Sequence, residues 1–278
     1  MQRETHPRQS LFITGFVCIL AGWTLYTAIQ HAGWTPATRA GLAWSLGFAA
    51  LVWLLRAGTG MAALTGGLLM ATIYMATVTQ PSGSLWTTAI PPLVLLLVLT
   101  LLATRFRRSS KEQSGLAEGR QGRSAAQVCA NLGTASLAAA LVPVPGIHRL
   151  ALLALTACFV EATADTLSSE IGQALQSQTF LLTTGQRVPP GTDGAISLPG
   201  TLTGILGGLL VALTCQQALR LSLHGMLLAW MAGIAGIFFD SMLGATLERQ
   251  RLMGNNAVNF CSTVFSAALA GLAGIWVR

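Results

Sequence analysis

Apolar stretches of about 18 to 20 residues recur along this chain, and each is long enough, at about 1.5 Å per helical residue, to cross the hydrocarbon core of a bilayer. They cover roughly 11–30, 38–55, 60–78, 86–104, 125–143, 149–166, 199–219, 224–246 and 257–277. The division between the second and third rests on the short break at Arg56–Thr59. The first run follows two arginines, as a signal peptide would, but it lacks a small-residue cleavage site and more spans follow, so it reads as a span. The expected fold is therefore all-α: a polytopic membrane bundle of about nine transmembrane helices. Charged residues make up only 9% of the 278, with Lys111 the single lysine, against the ~25% of ordinary globular domains.

Charge then orients the bundle. The net +7 is concentrated between the fourth and fifth runs, in "RFRRSSKEQSGLAEGRQGR", Arg105 to Arg123. Lys and Arg accumulate in cytoplasmic loops, which places this loop and the N-terminus inside. The inside then receives Arg3, Arg8, Arg56, the six basic residues from Arg105 to Arg123, Arg187, Arg249 and Arg251, twelve of the 16 basic residues. The outside receives Arg39, Arg149, Arg220 and Arg278. The basic excess is thus an orientation signal and not a nucleic-acid patch. Three regions follow: four spans over 1–104, the basic cytoplasmic loop over 105–124, and five spans over 125–278. The five cysteines all fall in apolar runs without CxxC spacing, and read as small packing residues rather than a zinc site.

In so uncharged a chain, "ACFVEATADTLSSEIG" stands out, with Glu161, Asp165 and Glu170 inside ten residues. The topology brings Asp165 and Glu170 to the cytoplasmic end of the sixth span, and Asp240 and Glu248 down the eighth. The connector carrying Arg187 and Asp193 lies on the same side, as do Arg123, Gln127 and Asn131 at the start of the fifth span and Asn255, Asn256 and Asn259 at the start of the ninth. Acids in a membrane helix are costly and mark function. Glu161 shares a face with Asp165, four residues on, and reads either as a hydrogen-bonded structural acid or as a catalytic one. Asp240, Gly244 and Glu248 step by four, which predicts one stripe down the helix. Gly200, Gly204 and Gly208 are spaced for close helix contact. The connector "LLTTGQRVPPGTDGAISLPGT" has turn chemistry that excludes a continuous helix, and Gly185 and Gly191 around Arg187 suggest a phosphate cradle.

These residue types suit phosphoryl transfer, which depends on positioning and on neutralising oxygen charge. Asp165, Glu170, Asp240 and Glu248 are candidates to hold one or two Mg²⁺ ions, with Arg187 balancing phosphate charge and the asparagines positioning phosphate, ribose or base. No GxxxxGK[ST] and no kinase-type glycine loop occurs. Intramembrane carboxylates also mark ion pathways, so a transporter or flippase of a lipid phosphate or small anion is the competing reading.

The ordered motifs "RSAAQVCANLGTASLAA", "TADTLSSEIG", "TTGQRVPPGTDGAISLPGTLTGILGG", "FDSMLGATLERQ" and "NNAVNFCSTVFSAAL" resemble the phytyl-phosphate kinase family, membrane proteins related in role to the CTP-dependent phytol and dolichol kinases. The resemblance covers 123–278. It implies an integral-membrane transferase that moves a phosphoryl group from a nucleoside triphosphate, CTP, to a prenyl or phytyl monophosphate with Mg²⁺. It also implies Asp165, Asp240 and Arg187 as catalytic residues and Asp165, Glu170, Asp240 and Glu248 as metal-holding ones. Arg123, Asn131, Gly185, Asp193, Asn255, Asn256 and Asn259 would bind substrate or nucleotide, with the active site on the cytoplasmic side. Only "ERQRLMG" stands where the family carries a longer segment, and Glu161 occupies a position expected to hold a small residue.

Overall fold

The computed structural model describes residues 6–78, 84–117, 119 and 121–276; Arg3, Arg120 and Arg278 of the charge count lie outside them. A helix stands in the place of each of the nine apolar runs: α1 (Pro7–Ala32), α2 (Pro36–Leu54), α3 (Gly60–Thr77), α4 (Ile90–Arg105), α6 (Ala125–Ala140), α7 (His148–Ala174), α8 (Leu198–Leu219), α9 (Leu223–Leu243) and α10 (Asn255–Trp276). A short amphipolar helix, α5 (Arg108–Gln113), lies in the basic loop. Among the described residues seven helices are long and apolar enough to cross a membrane. The other two, α4 and α6, have 16 residues each and reach only about 24 Å. The fold is an all-α polytopic membrane bundle.

Local chemistry sets the ends. Thr35, Thr59, Ser124, Ser197 and Ser222 each accept a backbone N–H at the start of the helix they precede, satisfying donors that would otherwise be stranded near lipid. At α6 the cap is reciprocal: the Ser124 N–H donates to Gln127 Oε1 at 2.7 Å, and the Gln127 N–H to Ser124 Oγ at 3.2 Å. Between α2 and α3 the chain reverses through Arg56, whose φ of 52° is left-handed, so the weakest expected division is a real turn.

α7 is the axis. It packs against α4, α6, α8, α9 and α10, and its most apolar stretch is 83% buried. It also runs on to Ala174, well past the expected end near 166, so Asp165 sits within the helix and not at its mouth. The approach of α8 explains its glycines. A Cβ at Gly200 would stand 2.3 Å from the Ser168 carbonyl, and one at Gly204 2.6 Å from the Ala164 carbonyl. Small residues let the two backbones meet.

The connector after α7 contains an element that an all-helical expectation omits. Strands β1 (Thr179–Leu181), β2 (Arg187–Val188) and β3 (Ala195–Ser197) form an antiparallel sheet in the order β2-β1-β3. Thr179 pairs with both Val188 and Ser197. Gly185, Gly191 and Gly194 supply the positive φ its turns require. After α9 the helix widens into a π turn over Gly244–Glu248, and Glu248 still lies on Asp240's side, close enough to feel its charge.

Candidate functional site

One end of the bundle collects the start of α6, the later turns of α7, the end of α9 and the start of α10. α7 delivers Glu161 and Asp165 there and α9 delivers Asp240. The π turn swings Glu248 inward, and the connector adds Asp193. Glu161 is close enough to Asp165 and Asp240 to feel both charges. Asp240 in turn feels Asp165 and Glu248, and Glu248 feels Asp165 and Asp193. Against these five acids stand, among the described residues, two cations, Arg123 beside Asp165 and Arg249 beside Asp193. At the exposed rim, loss of water around Asp193 raises its carboxyl above the ordinary aspartate range, and Arg249 opposes the rise.

The loop reaches the acids by a backbone contact that excludes side chains. A Cβ at Gly194 would lie 2.1 Å from the Ala245 nitrogen, and one at Gly244 2.7 Å from the Gly194 nitrogen. Two glycines facing each other therefore seat the connector on the π turn and hold Asp193 near Glu248. Gly236, one turn before Asp240, makes room in the same way: a Cβ there would meet Ser266 Oγ at 1.9 Å and Glu161 Cγ at 2.7 Å.

Hydrogen bonds frame the cluster. Ser262 Oγ donates to Glu161 Oε1 at 2.5 Å. The other carboxylate oxygen of Glu161 and Oδ2 of Asp240 are buried without a partner, an arrangement that calls for a proton or a cation. Arg123 Nη2 donates to Thr166 Oγ1 at 3.0 Å, next to Asp165 in the chain. Asn259 Nδ2 donates to Asn131 Oδ1 at 3.0 Å, and Asn131 Nδ2 to the Gln127 carbonyl at 2.9 Å, tying α10 to α6. Asn255 Nδ2 reaches Asn259 Oδ1 at 3.3 Å. Asn256 turns away to α1, donating to Ser10 Oγ at 2.9 Å.

The expected site residues thus divide. Arg123, Asn131, Asp165, Asp193, Asp240, Glu248, Asn255 and Asn259 come together. Glu170 does not join them: it is ion-paired with Lys111, a buried side chain whose Nζ also donates to the carbonyls of Ala103 and Thr104. Arg187 lies exposed on β2 and lines a separate groove with Gln176, Thr179 and Pro189; among the described residues no ion pair joins it to the acids. The Gly185 N–H, expected in a phosphate cradle, donates to the Leu181 carbonyl at 2.8 Å as part of the β1–β2 hairpin. Ser262 and Thr166 were not anticipated, since a lone hydroxyl in an apolar helix carries no distinctive spacing. Lys111 did carry a signal, as the chain's single lysine.

Among the described residues no three His, Cys, Asp or Glu side chains gather into a cage for a metal ion. Mg²⁺ asks for less: it keeps several waters and binds one or two carboxylates together with substrate phosphates. Asp165 and Asp240, with an unpartnered oxygen already on Asp240, fit that requirement.

No solved structure matches the chain. Among curated proteins it is similar to an uncharacterized membrane protein of Synechocystis, 37% identical over 60% of this chain and 66% of that protein. It is also similar to Protein VTE6, chloroplastic, of Arabidopsis thaliana, 37% identical over 41% of this chain and 36% of that protein. Protein PGR, also of Arabidopsis, is 29% identical over 41% of this chain and 51% of that protein. The chain spans between about a third and two thirds of the length of these relatives. The family described as Integral membrane protein DUF92 matches residues 43–267, which include every site residue named above. The chain belongs to that family.

Proposed function

We propose that the protein is an integral-membrane kinase that transfers the γ-phosphoryl group of a nucleoside triphosphate, CTP, to a prenyl or phytyl monophosphate. The observation that carries this reading is the convergence of Asp165, Asp240 and Glu248 beside a single buried-side cation, Arg123. Such an excess of acid at one end of a membrane bundle calls for protons or a cation to match it, and Mg²⁺ brought with a nucleotide would be such a cation. The similarity to VTE6 supports the relationship to phytyl-phosphate kinases that the motifs suggest. The excess of basic residues at this end supports a cytoplasmic site, where nucleotide is available.

In this reading Asp165 and Asp240, with Glu248, hold Mg²⁺. Held there, Mg²⁺ would supply neutralisation of the charge that builds on the phosphate oxygens during transfer. An oxygen of the acceptor phosphate attacks the γ-phosphorus, the bond to the β,γ-bridging oxygen breaks, and the nucleoside diphosphate leaves. A phosphate monoester loses its second proton with a pKa of about 6, so the attacking oxygen is already ionised at neutral pH. No residue has to remove a proton, and the acids are free to serve as ligands. An alcohol acceptor would need a base, and Lys111, buried against Glu170, is not placed to be one. Arg123 steadies the acceptor phosphate beside Asp165. Asp193, Asn255 and Asn259 meet the nucleotide from the open side. Glu170, already neutralised by Lys111, is structural.

The test uses purified protein in detergent with Mg²⁺, geranylgeranyl or phytyl monophosphate, and CTP or ATP labelled on the γ-phosphate. Label should enter the lipid diphosphate and be lost in Asp165→Asn and Asp240→Asn. Folded protein that moves no label to either monophosphate from any nucleotide would overturn the assignment.

A further inference from the structure

A groove opens between α2, α3, α4, α6 and α7. Its walls are apolar, with Phe48, Leu93, Leu96 and Leu97 among them, and its mouth is rimmed by Arg56, Arg105, Arg108 and Arg123. The free space inside the groove is about 90 Å³, below the ~300 Å³ of a typical small-molecule site, so a prenyl tail enters it only as the surrounding helices part. From Arg105 back to Leu93 it follows thirteen residues of α4, about 18 Å along the helix axis.

Arginines at helix ends are ordinarily orientation signals. Here four of them surround one opening. Arg108 is paired with Glu112 at 3.1 Å, and Arg105 Nη2 donates to the Leu55 carbonyl at 2.6 Å. Among the described residues no carboxylate pairs with Arg56, Arg105 or Arg123. Among the described residues the rim therefore carries the guanidinium charges of Arg56 and Arg105 without a paired carboxylate, above a largely apolar slot that suits an aliphatic chain. Guanidinium forks match phosphate oxygens, and basic pockets between membrane helices take lipid headgroups.

The groove also touches the carboxylate site. Arg123, which rims it, stands beside Asp165. Asn131, in its wall, is bonded to Asn259, and Ala162, also in its wall, is next to Glu161 in the chain.

We propose that this groove is the acceptor site: it holds a single-chain isoprenoid phosphate with the tail between α2 and α4 and the phosphate among Arg56, Arg105, Arg108 and Arg123. This rests on the kinase reading for the acceptor's chemistry, and gives a role to the first four helices. The tail enters from the bilayer side and the headgroup is handed across Arg123 to the acids. Arg56 and Arg105 are binding residues that recognise the phosphate without touching the reacting γ-phosphorus.

The experiment uses the full chain in detergent without nucleotide. A geranylgeranyl monophosphate carrying a diazirine at its distal end is bound, irradiated and mapped by mass spectrometry. Label is expected on the α2 and α4 segments around Phe48, Leu93 and Leu96. Unlabelled geranylgeranyl monophosphate should compete, whereas geranylgeraniol and dioleoyl phosphatidic acid should not. Arg56→Gln with Arg105→Gln, both at exposed positions that leave the core intact, should reduce labelling by about tenfold or more. Leu96→Trp should block it by filling the slot. Label on outer faces such as Phe12 and Ile19 of α1, or equal competition by phosphatidic acid or the alcohol, overturns the proposal. Unchanged labelling in the double arginine variant does the same. Phosphoryl transfer is assayed separately. Groove labelling in a protein that transfers nothing removes the kinase and leaves the lipid-phosphate site. Transfer accompanied by label elsewhere removes the site and leaves the kinase.

Discussion

Two carboxylates on one helix, Glu170 and Asp165, lie little more than a turn apart and have opposite surroundings. Glu170 is buried with a lysine that also donates to two backbone carbonyls. Its charge is matched, and the unit joins the basic loop to α7. Asp165 faces Asp240, Glu248 and Glu161, and among the described residues Arg123 is the cation beside it. The first arrangement is complete as it stands. The second has more negative charge than the protein neutralises, and it is the second that points to a bound cation and its phosphates. Presence of an acid in a membrane helix is therefore a weaker guide to function than whether its charge is matched.

The strongest way to break this contrast is Lys111→Met. It leaves Glu170 buried and unpaired, which costs about 3–5 kcal/mol, and should lower the thermal midpoint in detergent more than any other single change at this end. Adding Glu170→Leu should recover most of the loss, since an apolar pair of similar volume is often neutral or better. If Lys111→Met unfolds like the parent, the pair is not structural and Glu170 returns to the list of metal ligands.

Asp240→Asn should behave in the reverse way. Removing one of several repelling acids leaves stability equal or higher in the absence of Mg²⁺, while phosphoryl transfer falls by about a hundredfold or more, equivalent to roughly 2.7 kcal/mol of barrier. A variant that lost stability and activity together would make Asp240 a packing residue. Added Mg²⁺ should raise the melting temperature of the parent but not of Asp165→Asn with Asp240→Asn.

Arg123→Gln sharpens the comparison from the cation side. It should cost about 1–2 kcal/mol, because the hydrogen bond to Thr166 and the charge beside Asp165 are lost together. Part should return in the double variant with Asp165→Asn, read as a coupling energy in a double-mutant cycle. The smallest effect belongs to Asp193. Its carboxyl is raised by lost hydration, so the ionised form is the less stable one in the folded protein, and its contribution weakens stability as pH rises through the raised value. Asp193→Asn should remove that component of the pH dependence while shifting the midpoint only slightly.

Much of this was legible in the chain. Nine apolar runs correspond to nine helices, and the polar residues of separate segments do meet at one end. Turn residues in the connector correctly excluded a helix, and glycines on α8 marked its approach to α7. Other features were hidden for physical reasons. Lys111 lies in a run of basic residues, where each one reads as an orientation signal, and nothing local reveals that it folds back under Glu170. The π turn over Gly244–Glu248 left no mark on the steps of four from Asp240 to Glu248, which still predicted that the two acids meet. The end of α7 was placed too early, since its polar residues resemble a mouth until partner helices bury them. In α2 and α4 leucine and valine occur on every side, so their pattern gives no hint of which face borders a groove.

The basic connector has a final consequence for how the molecule is assembled. Backbone pairs from Thr59 N–H to the Arg123 carbonyl and from Arg123 N–H to the Ala57 carbonyl, each 3.0 Å, cross from the first four long helices to the last five, and the Lys111 ion pair crosses there as well. A chain severed after Gly115 would leave Lys111 on one fragment and Arg123 and Glu170 on the other. The halves should then insert separately and find each other in the bilayer, with these contacts as the stitches that make one protein of two.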